Sequence, residues 1–414
     1  MSQITATSAS PSGVPRPAGL GRNLSAALGG HRNSLGIIRL VLATAVIFSH
    51  AFPLGGWGHD PVVKLTRGQD NLGGLAVLGF FAISGYLITK SGMRADVVQY
   101  FWRRSLRIFP ALWLVILVTA AGIGPIVWLS MGRPLADYWS RAPGGPIHYI
   151  WSNATLQGGP FGIHDIFAAS TPYGIETQSS VFNGSLWTLA YEWGCYVMIG
   201  VLVLVFALRF AKWIVPLMTV GLVGIALIIR FRPEPFLTHF PYFADRYHVD
   251  LTLIFLWGAC AALYGKHIPM RHWMGILAGL IALTAALTGW LNVFGYPAAA
   301  FFIFYLASAL PQSWQWIGAK NDYSYGMYLY GFLTQQVTAS LGWHHLGYPL
   351  WTLLCVLIAF VCAWISWHGL EKWAMRLKDW GPGRGIRYWF DRMRPGVGTR
   401  TPVRTDGVNA APTA

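Results

Sequence analysis

The chain is written in apolar runs of roughly fifteen to twenty-four residues separated by polar or basic breaks, and at about 1.5 Å of helical rise per residue each run is near the length needed to cross the hydrocarbon core of a bilayer. Such runs cover 34–53, 72–91, 108–130, 185–208, 213–229, 250–265, 273–290, 296–310, 323–341 and 350–370. In lipid every backbone polar group must find its partner within the protein, which a helix achieves along its own length. The pattern therefore predicts an all-α fold, a polytopic transmembrane helical bundle of about ten spans. No internal repeat of fixed period and no coiled-coil heptad accompanies it. Pro110 falls in the first turn of the third run, where proline is tolerated. The longest break, 131–184, is mostly Gly, Pro, Ser and aromatic, with few basic residues.

Composition strengthens this picture and charge orients it. Hydrophobic residues make up 54% of the chain and charged ones only 11%, against about a quarter in ordinary soluble domains. A net charge of +15 would suggest nucleic acid in a soluble protein, but here the positive-inside rule accounts for it and no nucleic-acid partner is expected. With the N-terminus inside, one side collects both tails, the RRSLR connection, Arg209, Lys212, Lys266, Arg271 and Lys320, roughly three basic residues for every one outside. The expectation is a multi-pass plasma-membrane protein among membrane lipids, with both termini cytoplasmic. His50 then lies towards the outer surface, and Arg39, Arg104 and Arg107 towards the cytoplasm. Residues 1–33, rich in Ser, Ala, Gly and Pro and without the apolar core of a signal peptide, read as a disordered cytoplasmic tail. Residues 34–371 form the transmembrane domain and 372–414 a basic cytoplasmic tail. The cysteines (Cys195, Cys260, Cys355, Cys362) all sit in apolar segments without metal-type spacing, so they read as buried small hydrophobes and no metal is expected.

Three clusters of ionisable groups interrupt the apolar runs. Arg39 and His50 stand eleven positions apart in the first run, within roughly 20° of one helical face and about 16 Å apart along it. Such groups are costly in a membrane and tend to mark function, although a snorkelling arginine and an interfacial histidine would also fit. Arg104 and Arg107 fall one turn apart at the start of the third run, a spacing at which two guanidiniums grip a phosphate or pyrophosphate, or simply anchor the topology. Glu192 lies seven residues into the fourth run, about 10 Å below its outer end. An isolated carboxylate there must pair or be protonated, and by depth His50 is its natural partner. That pair would make an oriented base for a hydroxyl proton; a structural carboxylate bonded between helices is the alternative.

The same clusters carry a resemblance. RLVLATAVIFSH fits the Arg-x(10)-His signature of the acyltransferase-3 family of polytopic membrane O-acyltransferases, and FFAISGYLI resembles its second-helix FFxxSGYL motif. RRSLRIFPALW resembles its Arg-x-x-Arg-Ile-x-Pro motif, SLWTLAYEW its LW-[ST]-L-xx-E motif, and DYSYGMYLY its late SYxxYL segment. The motifs follow the family order over 35–371. The resemblance implies an enzyme that takes acyl groups, commonly acetyl from acetyl-CoA, on the cytoplasmic side. It would place them on hydroxyls of an extracytoplasmic glycan or glycolipid. Two positions depart from the pattern. Tyr330-Gly331 stands where many relatives read Trp-His, which leaves His50 to serve alone, and Glu371-Lys372-Trp373 stands where Glu-[Lys/Arg]-Pro is common. The tail after the last run reads as too short and basic for a hydrolase-like domain, so transfer is expected from the membrane domain alone or with a separate partner.

The mechanism expected from these readings runs across the membrane. Arg104 and Arg107, with Arg39, hold the phosphates of an acyl-CoA, which is a donor substrate rather than a resident cofactor. The thioester end reaches along the Arg39–His50 stripe. His50 deprotonates the acceptor hydroxyl or transiently carries the acyl group, with Glu192 orienting the ring. Ser84 and Gly85 let helices approach closely near the site, and Trp187 stands beside it as a structural residue. A homodimer is allowed for. Two other classes fit less well. One is a transporter or flippase for a glycolipid or anionic solute, which would need matching broken spans in two halves, and none occur. The other is a catalytically dead sensor of the same fold.

Overall fold

A computed structural model describes residues 23–29, 33–318 and 321–381. The expected tails therefore lie largely outside the described residues. The fold is all-helical, with long helices at each expected run. They are α1 (Leu35–Leu54), α2 (Leu72–Gly92), α3 (Val97–Leu117), α4 (Trp187–Leu204) and α5 (Ile214–Phe231). α6 (Arg246–Tyr264), α7 (His272–Thr288), α8 (Tyr296–Ala309), α9 (Ser324–Ser340) and α10 (Tyr348–Ser366) follow. Among the described residues, 8 are long and apolar enough to cross a membrane, so the expected ten is approximate. The two that fall short have 17 residues each. α7 is apolar but short, whereas α9 carries Ser, Thr, Gln and Tyr along its length. It can do so because every residue of α9 except Val337 and Ser340 is buried, so protein rather than lipid satisfies its side chains. Gln335 donates to the Ile47 carbonyl at 2.8 Å and Gln336 to that of Val181 at 2.6 Å.

Three boundaries differ from expectation. α3 begins eleven residues before the apolar run, because Asp96 caps it by accepting from the Gln99 N–H at 2.7 Å. Arg104 and Arg107 thus stand on helix, as expected, but well inside it with Arg103 rather than at its entry, and Pro110 lies inside the helix rather than in its first turn. α3 then continues through a π turn to Ser130, and α10 continues through another, at Trp367–Glu371, to Asp379. Residues 23–29, expected in the disordered tail, are packed: Leu24, Ala27 and Leu28 are buried, and the Leu24 N–H donates to the Ile268 carbonyl at 2.8 Å. The apolar side chains of this short segment give it something to bury. The 131–184 connection also folds, with Tyr138, Tyr149, Phe167 and Phe182 fully buried in a cap over one end of the bundle.

α2 sits at the centre. It packs along α1 on one side and α6 on the other; α1 leads on to α9 and α10, while α6 leads on to α5 and α8, with α7 outside α8. α3 and α4 close the front, touching each other and α2. The α2–α6 crossing needs its glycines. A Cβ on Gly85 would stand 2.0 Å from the Phe255 carbonyl oxygen, and one on Gly258 would stand 2.1 Å from that of Ala82. The resulting backbone-to-backbone approach holds α2 where its Ser84 face can line the site.

Candidate active site

Five helices converge on a cavity of about 90 Å³. α1 contributes Arg39, α2 Phe80 and Ser84, α3 Arg104 and Arg107, α4 Glu192 and Tyr196, and α9 Tyr325 and Tyr328. Spacing alone accounts for the two α3 arginines sharing a wall, since residues three apart on a helix face the same way. Their partner comes from far along the chain. Arg39 and Arg107 both donate to Oδ2 of Asp322, just before α9, while its Oδ1 accepts from the Ser324 hydroxyl at 2.5 Å and the Ser324 N–H at 3.2 Å. Burial alone would raise the Asp322 carboxyl, but the Arg107 and Arg39 guanidiniums hold it well below the usual carboxylate range. Arg104 is different: among the described residues it forms no ion pair, and its buried Nε has no hydrogen-bond partner. One carboxylate thus ties two guanidiniums together and leaves a third cation facing the cavity.

His50 lines the next cavity, of about 300 Å³, with Asp70, Asn71, Trp187, Tyr247 and Asp250. Its ring meets Phe332 edge-on at 5.2 Å, and its buried Nδ1 has no hydrogen-bond partner among the described residues. The two cavities share Val77 and Tyr328 as walls. Tyr328 is a firm partition, because its hydroxyl is held by the Ser185 carbonyl at 2.9 Å and lies 2.5 Å from the Thr188 hydroxyl. Two acids face the His50 cavity, and both lie near Arg246, at 3.5 Å for Asp70 and 3.7 Å for Asp250. Burial pushes the Asp70 carboxyl up, against the pull of Arg246 and the Asn71 N–H.

The structure brings Arg39, Arg104, Arg107, Ser84 and Glu192 to one cavity and puts His50 and Trp187 at its neighbour. It does not bring Glu192 to His50. Glu192 accepts from the Tyr196 hydroxyl at 2.5 Å and the Ser84 hydroxyl at 3.3 Å, on the arginine side of the partition. Depth along two helices suggested the pairing, but Tyr196, one turn along the same helix, is nearer. Asp322, Asp70 and Asp250 were missed. Asp250 opens an expected apolar run, so the cost argument applied to Glu192 would have found it. Asp322 stands at the head of the DYSYGMYLY segment, and its position beside the arginines has no local signal.

Comparison with known proteins bears on this arrangement. A family model described as an acyltransferase domain, Acyl_transf_3, matches residues 32–368. An O-acetyl transferase of Shigella phage Sf6 is 30% identical over 347 residues, covering 82% of this chain and 95% of its own. Nodulation protein 10 of Rhizobium leguminosarum bv. viciae is 28% identical over 382 residues, covering 84% of this chain and 95% of its own. No solved structure matches the chain significantly.

Proposed function

The chain belongs to the Acyl_transf_3 family and is a multi-pass membrane O-acyltransferase, and from that premise we propose that it moves an acyl group, in the first instance acetyl, from acyl-CoA to a hydroxyl of an extracytoplasmic glycan or glycolipid. One observation carries the reading. A cavity lined by three guanidiniums and a cavity lined by a histidine lie back to back, with Val77 and Tyr328 as their common walls. A polyanionic donor suits the first and a neutral hydroxyl the second.

In this reading the arginine end is cytoplasmic. Arg104, with no carboxylate partner among the described residues, takes the donor phosphates, and the Asp322-linked pair of Arg39 and Arg107 supports it. The thioester passes the Tyr328 partition towards His50. The imidazole accepts the proton of the acceptor hydroxyl as its oxygen attacks the thioester carbonyl carbon. The new C–O bond forms, the C–S bond breaks, and the thiolate that leaves takes the proton back from His50. An imidazole nitrogen with no hydrogen-bond partner among the described residues is free to take that proton. Asp70 and Asp250, on the His50 side, accept hydroxyl hydrogen bonds from the acceptor.

The experiment is transfer of labelled acetyl from acetyl-CoA in membranes carrying the protein, with mass spectrometry of the cell envelope for the acetyl increment. His50→Ala should lower transfer by about 10²-fold or more while the protein still inserts and binds acetyl-CoA. Transfer close to wild type in that variant removes His50 as the base.

A further inference from the structure

A larger cleft, of about 710 Å³, opens beside the His50 cavity and shares Trp187 and Tyr247 with it. It runs between α4 and α6 under residues 156–161, and its volume lies in the range of about 300–1,000 Å³ usual for small-molecule sites. Its mouth is a group of rings around two polar residues. The Trp187 and Tyr247 rings lie 4.4 Å apart, and the Tyr242 ring lies 4.0 Å and the Tyr191 ring 5.0 Å from that of His248. Asp245 stands among them, with Oδ2 accepting from the Tyr191 hydroxyl and 3.5 Å from Nδ1 of His248. Oδ1 accepts the Tyr247 N–H at 3.0 Å, which fixes the carboxylate at the head of α6. A carboxylate accepts about four hydrogen bonds, so Asp245 keeps acceptor capacity to spare.

These residues are poorly suited to either solvent the cleft could hold. Lipid would strand the carboxylate and the phenols. Water would wet flat rings such as Tyr242, which is 62% exposed. A sugar ring satisfies both, because its C–H faces are apolar and flat while its rim is a set of hydroxyl donors and acceptors. Resting on the reading of a glycan acceptor, we propose that this cleft is the acceptor-sugar subsite. Trp187, Tyr191, Tyr242 and Tyr247 stack on the ring faces, and Asp245 and His248 take the hydroxyls. Trp187 and Tyr247, belonging to both cavities, then pass the hydroxyl to be acylated towards His50.

Saturation-transfer NMR on the full chain in lipid nanodiscs tests this, with the methyl α-glycosides of glucose, galactose, mannose and rhamnose as probes. At least one glycoside should gain saturation from aromatic protons above that seen with empty nanodiscs. The gain should fall at least fivefold in Tyr242→Ala and in Asp245→Asn. Tyr242 is exposed enough that its loss leaves the fold intact even where the capping Asp245 does not tolerate change. The proposal is overturned if no glycoside exceeds the empty-nanodisc signal, or if both variants saturate the glycoside as wild type does. Acetyl-CoA binding by titration calorimetry in the same nanodiscs belongs to the donor reading. Its absence overturns that reading and leaves the cleft result standing, while acetyl-CoA binding without glycoside binding overturns the cleft alone.

Discussion

Arg39, Arg104 and Arg107 line one cavity, yet among the described residues Arg39 and Arg107 share the Asp322 carboxylate while Arg104 forms no ion pair. Arg104→Ala should therefore weaken acetyl-CoA binding without disturbing an ion pair. Charge-assisted bonds to phosphate contribute about 1.5–3 kcal/mol, a roughly 10- to 150-fold rise in Kd. Arg104→Lys should recover only part of this, since a point charge replaces a planar fork. Titration calorimetry in nanodiscs decides it, and an unchanged Kd in Arg104→Ala would reduce Arg104 to a topology anchor. Glu192→Gln separates the two placements of Glu192. Glutamine still accepts from Tyr196 and Ser84, so the fold should hold. A carboxylate on the donor side should alter the KM for acetyl-CoA and leave the pH profile of turnover unmoved. A profile that shifts instead would restore the coupling to His50 that depth along the helices suggested. The residue types of the site were legible because a charge in an apolar run is conspicuous; their partners were not, because cost in lipid says that a partner exists without saying which.

At the scale of elements, the crossing of α2 and α6 positions both cavities, since α2 lines each of them and α6 lines the one that holds His50. Gly85→Val puts methyl groups where a bare Cβ already stands 2.0 Å from the Phe255 carbonyl oxygen. Neither backbone can yield without moving a helix, so the substitution should cost at least the ~1–3 kcal/mol of overpacking. Thermal denaturation in detergent should show a clearly lower midpoint, and turnover should fall with it. An unchanged midpoint would mean that the crossing is looser than the structure shows. Helix existence followed from apolar length, but two helix properties did not. The start of α3 depends on the Asp96 cap and carries a polar face that hydropathy does not register. α9 is polar because it is enclosed by protein, and enclosure is not written in its own residues.

For the whole molecule, both described ends lie near the arginine helix, with Lys90 reaching the Leu28 carbonyl at 3.5 Å and Arg103 pairing with Asp379 at 2.9 Å, while the 131–184 connection meets the other end of α1, where Pro172 stands beside Gly56. The excess of Lys and Arg at the first end argues that it is cytoplasmic. Glu176→Cys in the cap should then react with an impermeant maleimide added to intact cells, and Lys378→Cys only after permeabilisation; the reverse pattern would invert the proposed direction of transfer. The native cysteines, buried or half-buried within the helices, should leave this readout clean. The chain by itself determined the helical membrane fold, the family, and a guanidinium and an imidazole on one face at opposite depths. All of these follow from local apolar length, period and motif order. The tertiary structure alone decided that Asp322 ties Arg39 to Arg107 across 283 and 215 positions, that Glu192 answers to Tyr196 rather than His50, and that Asp70 and Asp250 face the histidine. A helical pattern carries the face and depth of each side chain but not which helix stands opposite, and that choice is made by close packing at crossings such as Gly85 with Phe255.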